Sequence, residues 1–239
     1  MNLPAHLLLP LVAVVVSCFL VACTGREAAP AAITRPPVLV AIGASDSVGV
    51  GASDPARTGW VPQLHQKLPP DTRLINLGIS GAKVADALSQ ELPVALDVDP
   101  DDVVVWIAVN DLLGETPLPD YERDLDLLLG ALTGRTRARV YVANVPNLGA
   151  LPNAPGLAAS SGINPARIAR AVGEWNDVIA RVVARHNATL VDLSAGWQEL
   201  AENPGYISAD GFHPSDDGYA RLADLFWGVM QASGQPSSR

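Results

Sequence analysis

VLVAIGASDSVGVGA, residues 38–52, passes without a break from the apolar run Val38–Ile42 into Gly43, Ala44 and Ser45, with Asp46 standing between Ser45 and Ser47. An uninterrupted apolar run of strand length, closed by glycine, fits a strand covered on both faces, and such strands belong to parallel sheets with helices on either side. The small residues then fall at the carboxyl end of that strand, where open α/β sheets gather their functional groups. Gly43 and Ala44 make the exit turn, so Ser45 is the first hydroxyl above the sheet edge. Ser47 lies further on, in a stretch already turning into the next segment, which favours Ser45 as a nucleophile.

Four more runs of the same character follow: residues 72–78 (TRLINLG), 101–110 (DDVVVWIAVN), 139–145 (RVYVANV) and 188–193 (ATLVDL). Helical patterns separate them. Leu118, Tyr121, Leu125, Leu128 and Leu132 recur at three- and four-residue steps, the spacing of one helix face. In residues 164–187, Asn164 suits a cap, Pro165 the first helical position, and Ile168, Val172, Trp175, Ile179 and Val182 form one stripe. Near the C-terminus, Tyr219, Leu222, Leu225 or Phe226, and Val229 should face inward. Strands alternating with helical crossovers predict an α/β fold, a three-layer α/β/α arrangement around a five-stranded parallel sheet.

The chain has 239 residues, 49% hydrophobic and 17% charged, enough for one sizeable core in a single domain. Its formal net charge is −9 and no Lys/Arg cluster occurs, so a surface that tracks phosphates has nothing to be built from, and nucleic acid is not an expected partner. The first 22 residues contain no Lys, Arg, Asp or Glu. Their apolar run, Leu7 to Ala22, falls short of the roughly 20 residues of a spanning helix and reads as an export signal over residues 1–22. It ends in Leu20-Val21-Ala22-Cys23, which resembles the lipobox of bacterial lipoprotein signals and implies lipidation at Cys23, a membrane tether and an extracytoplasmic, cell-envelope location. Cys18 would leave with the signal, so the mature chain holds no internal disulfide. Residues 23–36, rich in Ala and Pro, suit an extended tether; the folded domain is expected over 37–232, with 233–239 a disordered tail.

Four stretches each follow a strand or occupy the final loop: GASDS (43–47), NLGISGAK (76–83), AVNDLLG (108–114) and ADGFHPSDDGY (209–219). This set, in this order, resembles the SGNH hydrolases, the GDSL-type esterases and lipases, over about residues 37–232. The resemblance implies a flavodoxin-like sheet and a serine hydrolase acting on carboxylic esters without a cofactor. Ser45 matches the family's nucleophile, Gly81 its second-block glycine and Asn110 its third-block asparagine; Asp210 and His213 match its acid and base. The oxyanion hole implied by the match is Ser45, Gly81 and Asn110. Two positions depart from the pattern. Gly43-Ala44-Ser45 stands for Gly-Asp-Ser, leaving Asp46 to take over local hydrogen bonding, and Ala108-Val109-Asn110-Asp111 stands for Gly-x-Asn-Asp.

The chemistry asks for the same groups. A serine hydroxyl needs a base to take its proton, and His213 is the suitable histidine, since His6 leaves with the signal, His65 falls in a helical stretch and His186 at a helix end. Asp210 can fold back through Gly211 so that its carboxylate accepts the imidazole Nδ1 proton and Nε2 faces the serine. Asp210, His213, Asp216 and Asp217 also offer metal donors, but Asp216 and Asp217 fit better as the opening of the last helix, and no metal is expected. Residues 145–163 form a long loop at the end of the fourth strand, either a lid or wall of an acyl pocket or a plain surface loop. The acyl group could come from a lipid, a small ester or an O-acetylated envelope glycan, by hydrolysis or transfer. A noncatalytic envelope-binding lipoprotein of the same fold is the reading from a different class.

Overall fold

Each of the five apolar runs supplies a strand, and all five pair in parallel. The computed structural model describes residues 35–151 and 165–234. The strands are β1 (Val38–Gly43), β2 (Arg73–Asn76), β3 (Asp102–Trp106), β4 (Arg139–Ala143) and β5 (Thr189–Val191). They lie in the order β2-β1-β3-β4-β5, the flavodoxin-like order whose topological switch point falls between β1 and β3. The register Val40↔Val103 and Ile42↔Val105 brings the ends of those two strands level, with Gly43 opposite Trp106.

The helices are α1 (Ser45–Val48), α2 (Pro55–Thr58), α3 (Trp60–His65), α4 (Val84–Asp86), α5 (Leu92–Asp97), α6 (Val109–Leu113), α7 (Leu118–Arg135), α8 (Pro165–Arg185), α9 (Trp197–Glu202) and α10 (Asp216–Gly234). A π turn over Ala87–Glu91 joins α4 to α5. Pro93 has no N–H to give the Ser89 carbonyl four residues back, and its ring crowds that carbonyl, which accounts for a helix wound one residue wider there.

Alternation along β1 sorts the core into two layers. Val38, Val40 and Ile42 pack with Leu125, Leu128, Leu132, Ile179 and Val182 on one face. Leu39 and Ala41 pack with Trp60, Leu64, Tyr219 and Phe226 on the other. The α8 stripe is buried as its spacing predicts, and Trp175 lies 4.4 Å from the Tyr121 ring of α7. In α10 the inward face is Tyr219, Ala223, Phe226 and Met230, while Leu222, Leu225 and Val229 are only partly covered. The strands are shorter than their apolar runs: the third ends at Trp106, and Val109, Asn110 and Asp111 belong to α6 rather than to the sheet.

Among the described residues no helix is long and apolar enough to cross a membrane. The expected signal 1–22, Cys23, most of the tether, the Asn164 cap, residues 152–163 of the 145–163 loop and residues 235–239 of the tail lie outside the described residues.

Candidate active site

The turn after β1 is tight. A Cβ on Gly43 would collide with the Ser47 hydroxyl and the Trp106 carbonyl, so only glycine fits where the chain leaves the sheet. The Ala44 carbonyl then accepts the N–H groups of Ser47 (3.0 Å) and Val48 (3.1 Å), which starts α1 at Ser45. As the first residue of that helix, Ser45 has an N–H with no partner within the helix. Ser47 points the other way and is 1% exposed.

The loop before α10 closes on itself to present the imidazole. Ile207 bridges Pro214, the Ser208 N–H donates to the His213 carbonyl at 2.8 Å, and Gly211 turns with φ 74°. Asp210 Oδ1 accepts from Ser208 Oγ (2.9 Å) and from the N–H groups of Phe212 (2.8 Å) and His213 (2.9 Å). Its other oxygen, Oδ2, lies 2.7 Å from His213 Nδ1. Across the crevice, His213 Nε2 lies 3.0 Å from Ser45 Oγ. With Nδ1 donating to the carboxylate, Nε2 is left to accept the serine proton. Burial alone would raise the Asp210 pKa, but the bonds from His213, Phe212 and Ser208 outweigh it and hold it near about 2. The carboxylate therefore stays ionised wherever the imidazole is used.

The second and third blocks meet beside this line. Asn110 Nδ2 donates to the Ala82 carbonyl at 3.0 Å, and Asp111 Oδ2 accepts the Val84 N–H at 2.9 Å. The Tyr121 hydroxyl donates to the Ile107 carbonyl at 3.0 Å, fixing the chain just before Asn110. Ser45, Asp46, Trp106, Ala108, Asn110 and Phe212 line one small recess. Gly81 is not among its walls; it adjoins Ala82, has φ 83° and leaves open space where a side chain would be. Ala108 occupies the family's glycine position with φ −166°, outside the left-handed region that favours glycine.

A larger cleft, a cavity of about 110 Å³, continues from the recess past Trp106, Val109 and Phe212 to Leu148, Leu151, Leu200 and Leu225. The described part of the 145–163 loop thus forms one wall of it. Most of the lining is apolar, with the Glu199–Arg221 pair (2.6 and 2.9 Å) and Asp46 as exceptions. The Asp46 carboxyl accepts from its own N–H, a bond local to the nucleophile turn, and borders both cavities; burial pushes its pKa up to about 6 against the pull of His213. Asp216 is engaged elsewhere, holding Ser53 and the Thr58 hydroxyl (2.7 Å) against the start of α10. Among the described residues no group of three or more His, Cys, Asp or Glu gathers as metal ligands.

Sequence reasoning passed over Glu91, which is 1% exposed and accepts the Gly43 N–H at 2.8 Å through Oε2. The signal was there: Val84, Ala87, Glu91 and Ala95 share one apolar stripe, interrupted by a carboxyl.

A model of the GDSL-like Lipase/Acylhydrolase family matches residues 41–221. The acetylxylan esterase of Geobacillus stearothermophilus is 25% identical over 180 residues, 74% of this chain and 81% of that protein. Among solved structures, TesA superposes with a TM-score of 0.65 at 25% identity, covering 82% of this chain and 98% of that one. The lipase/acylhydrolase from Enterococcus faecalis, at 19% identity, shares the fold with a TM-score of 0.65 over 85% of this chain and 100% of its own.

Proposed function

Since the chain belongs to the GDSL-like lipase/acylhydrolase family and is a carboxylic ester hydrolase, we propose that it works through an acyl-enzyme on Ser45. Ser45 Oγ attacks the ester carbonyl while His213 Nε2 takes its proton. The tetrahedral oxyanion is received by the Ser45 and Gly81 N–H groups and the Asn110 amide. Collapse expels the alcohol, which leaves with the proton from Nε2. Water then gives its own proton to Nε2 and attacks the acyl carbon; Ser45 departs with that proton and the carboxylic acid is released. Asp210 holds the ring orientation and stabilises the imidazolium.

One observation carries the reading: the unbroken line Ser45 Oγ to His213 Nε2 to Asp210, at 3.0 and 2.7 Å, at the sheet's switch point. A fluorophosphonate probe should label the protein at Ser45, mapped by peptide mass. Ser45→Ala should abolish labelling and ester hydrolysis, while Ser47→Ala keeps much of both. Asn110→Ala should stay folded and raise the barrier by roughly 2.7–4 kcal/mol, the usual effect of losing one oxyanion donor. Labelling at Ser47 instead would move the nucleophile.

The apolar cleft beside Ser45 supports an acyl group longer than acetyl. O-acetyl removal from a glycan is the second reading, favoured by the acetylxylan esterase relative. The run from Leu7 to Cys23 supports export and lipid anchoring at Cys23 in the cell envelope. Mass analysis of the N-terminal peptide from the producing cell should find a diacylglyceryl thioether on Cys23, absent in Cys23→Ser; an unmodified or uncleaved N-terminus rejects the anchor.

A further inference from the structure

Parallel pairing leaves one donor at the nucleophile turn without a strand to serve it. β1 pairs with β2 only as far as Ala41↔Asn76. Beyond that pair the chain after β2 bends into Gly78 and Ile79, and the Gly43 carbonyl still receives the Ile79 N–H at 3.0 Å. The Gly43 N–H, on the same edge, takes Glu91 Oε2 at 2.8 Å in place of a ladder carbonyl.

The carboxyl reaches this point from the π turn. The wider winding over Ala87–Glu91 keeps residue 91 on the buried face at the turn before Pro93. Glu91 Oε1 has no hydrogen-bond partner among the described residues. A proton there leaves the side chain neutral in its apolar surroundings and Oε2 free to accept. Burial raises the Glu91 pKa to about 7 and Asp86, on the same helix, pushes the same way; the Gly43 N–H acts against them. The side chain is too deep to touch a substrate, and Gly43 lies two residues before Ser45. An oxygen fixed at Gly43 therefore fixes the direction in which the chain leaves the sheet and the position from which Ser45 Oγ meets His213.

We propose that Glu91 is a positioning residue for the nucleophile, acting through the Gly43 N–H as an acceptor built into the sheet's missing ladder position. The inference rests on Ser45 being the nucleophile. It requires an oxygen at this place, not a charge.

The test uses the purified folded protein, a short-chain nitrophenyl ester and the fluorophosphonate probe. Glu91→Met fills the volume without an acceptor; it should lower kcat and the Ser45 labelling rate about tenfold with KM within about twofold. Glu91→Gln, which keeps the accepting oxygen, should hold kcat within about threefold of wild type. If Glu91→Met does not fold, Glu91→Asp, whose oxygen is withdrawn by one methylene, takes its place with the same expected loss. A folded variant without the reaching oxygen that keeps wild-type kcat overturns the proposal, as does Glu91→Gln falling as far as Glu91→Met. Wild-type protein that is not labelled at Ser45 rejects the nucleophile instead, so the two failures are told apart.

Discussion

Asp46 puts a titratable charge into a cleft whose lining is otherwise apolar apart from the mutually paired Glu199 and Arg221, directly after the proposed nucleophile. Burial raises its pKa to about 6, so it is largely ionised at about pH 8 and largely neutral near pH 5. A carboxylate there repels an acyl group that ends in a carboxylate; at an effective dielectric of about 20, two charges some 8 Å apart cost about 2 kcal/mol. The preference for a neutral over an anionic nitrophenyl ester of equal length should be at least about tenfold at pH 8 and shrink toward unity near pH 5. In Asp46→Asn it should be small at both. The ratio of kcat/KM for the two esters is the measurement, because any change in general-base protonation cancels within it. A ratio indifferent to pH and to the substitution would place Asp46 outside the acyl path. At this scale the sequence was informative about the meeting of Ser45, Asp210 and His213, which lie in one line at 3.0 and 2.7 Å, because a serine, a histidine and an aspartate are few residue types to place. It was uninformative about Asp46, whose part depends on which cavity its side chain borders.

Elements read well wherever burial on both faces leaves an apolar run, as in β1, β3 and β4. They read poorly where the run continues past the sheet: Ile107, Ala108 and Val109 are apolar enough to extend β3, yet the chain turns there into α6. The edge strand β2 was legible from the short run Leu74-Ile75 closed by Asn76 and Gly78, although its residues are half exposed. The π turn was not legible, because a shift of one residue in hydrogen bonding leaves the apolar stripe nearly unchanged. That turn has a thermodynamic consequence at Glu91. Unfolded, a glutamate ionises near 4.5, whereas in the folded chain it does so near about 7. The folded state thus holds a proton that the unfolded state has lost, and the stability it gives is full below about 4.5 and lost as pH rises through about 7. The difference approaches about 3 kcal/mol, and for a domain of this size each kcal/mol moves Tm by about 2–4 °C. Glu91→Gln should therefore melt close to wild type at about pH 4.5 and several degrees above it at about pH 8, followed by circular dichroism. Parallel melting curves across that range would mean that Glu91 is ionised and stabilised in the folded state.

At the scale of the whole molecule, the four blocks were legible as a group because chain order in a doubly wound sheet fixes which strand ends lie side by side: Ser45 follows β1, Asn110 follows β3, and the switch point separates them. The cleft was not legible, since its walls come from the ends of β3, β4 and β5 and from α9 and α10, and no local pattern signals that Leu222 and Leu225 face a void and not the core. Its shape makes the two substrate readings testable. Gly218, Leu222 and Leu225 follow one another along α10, a span of about 10 Å at 1.5 Å per residue, which suits a medium-length acyl chain laid along the helix. Each methylene buried there contributes up to about 0.8 kcal/mol, or roughly fourfold in kcat/KM. Across nitrophenyl esters of increasing even chain length, kcat/KM should rise from acetyl to about octanoyl and then level off. Leu225→Trp, which fills the far end, should bring the plateau forward by about two to four carbons and leave acetyl turnover alone, because the change lies about 10 Å along α10 from Gly218. A wild-type profile that peaks at acetyl and falls with length would instead favour the O-acetyl reading, with the cleft receiving the alcohol side of the ester, and acetylated xylan would then be the substrate to compare.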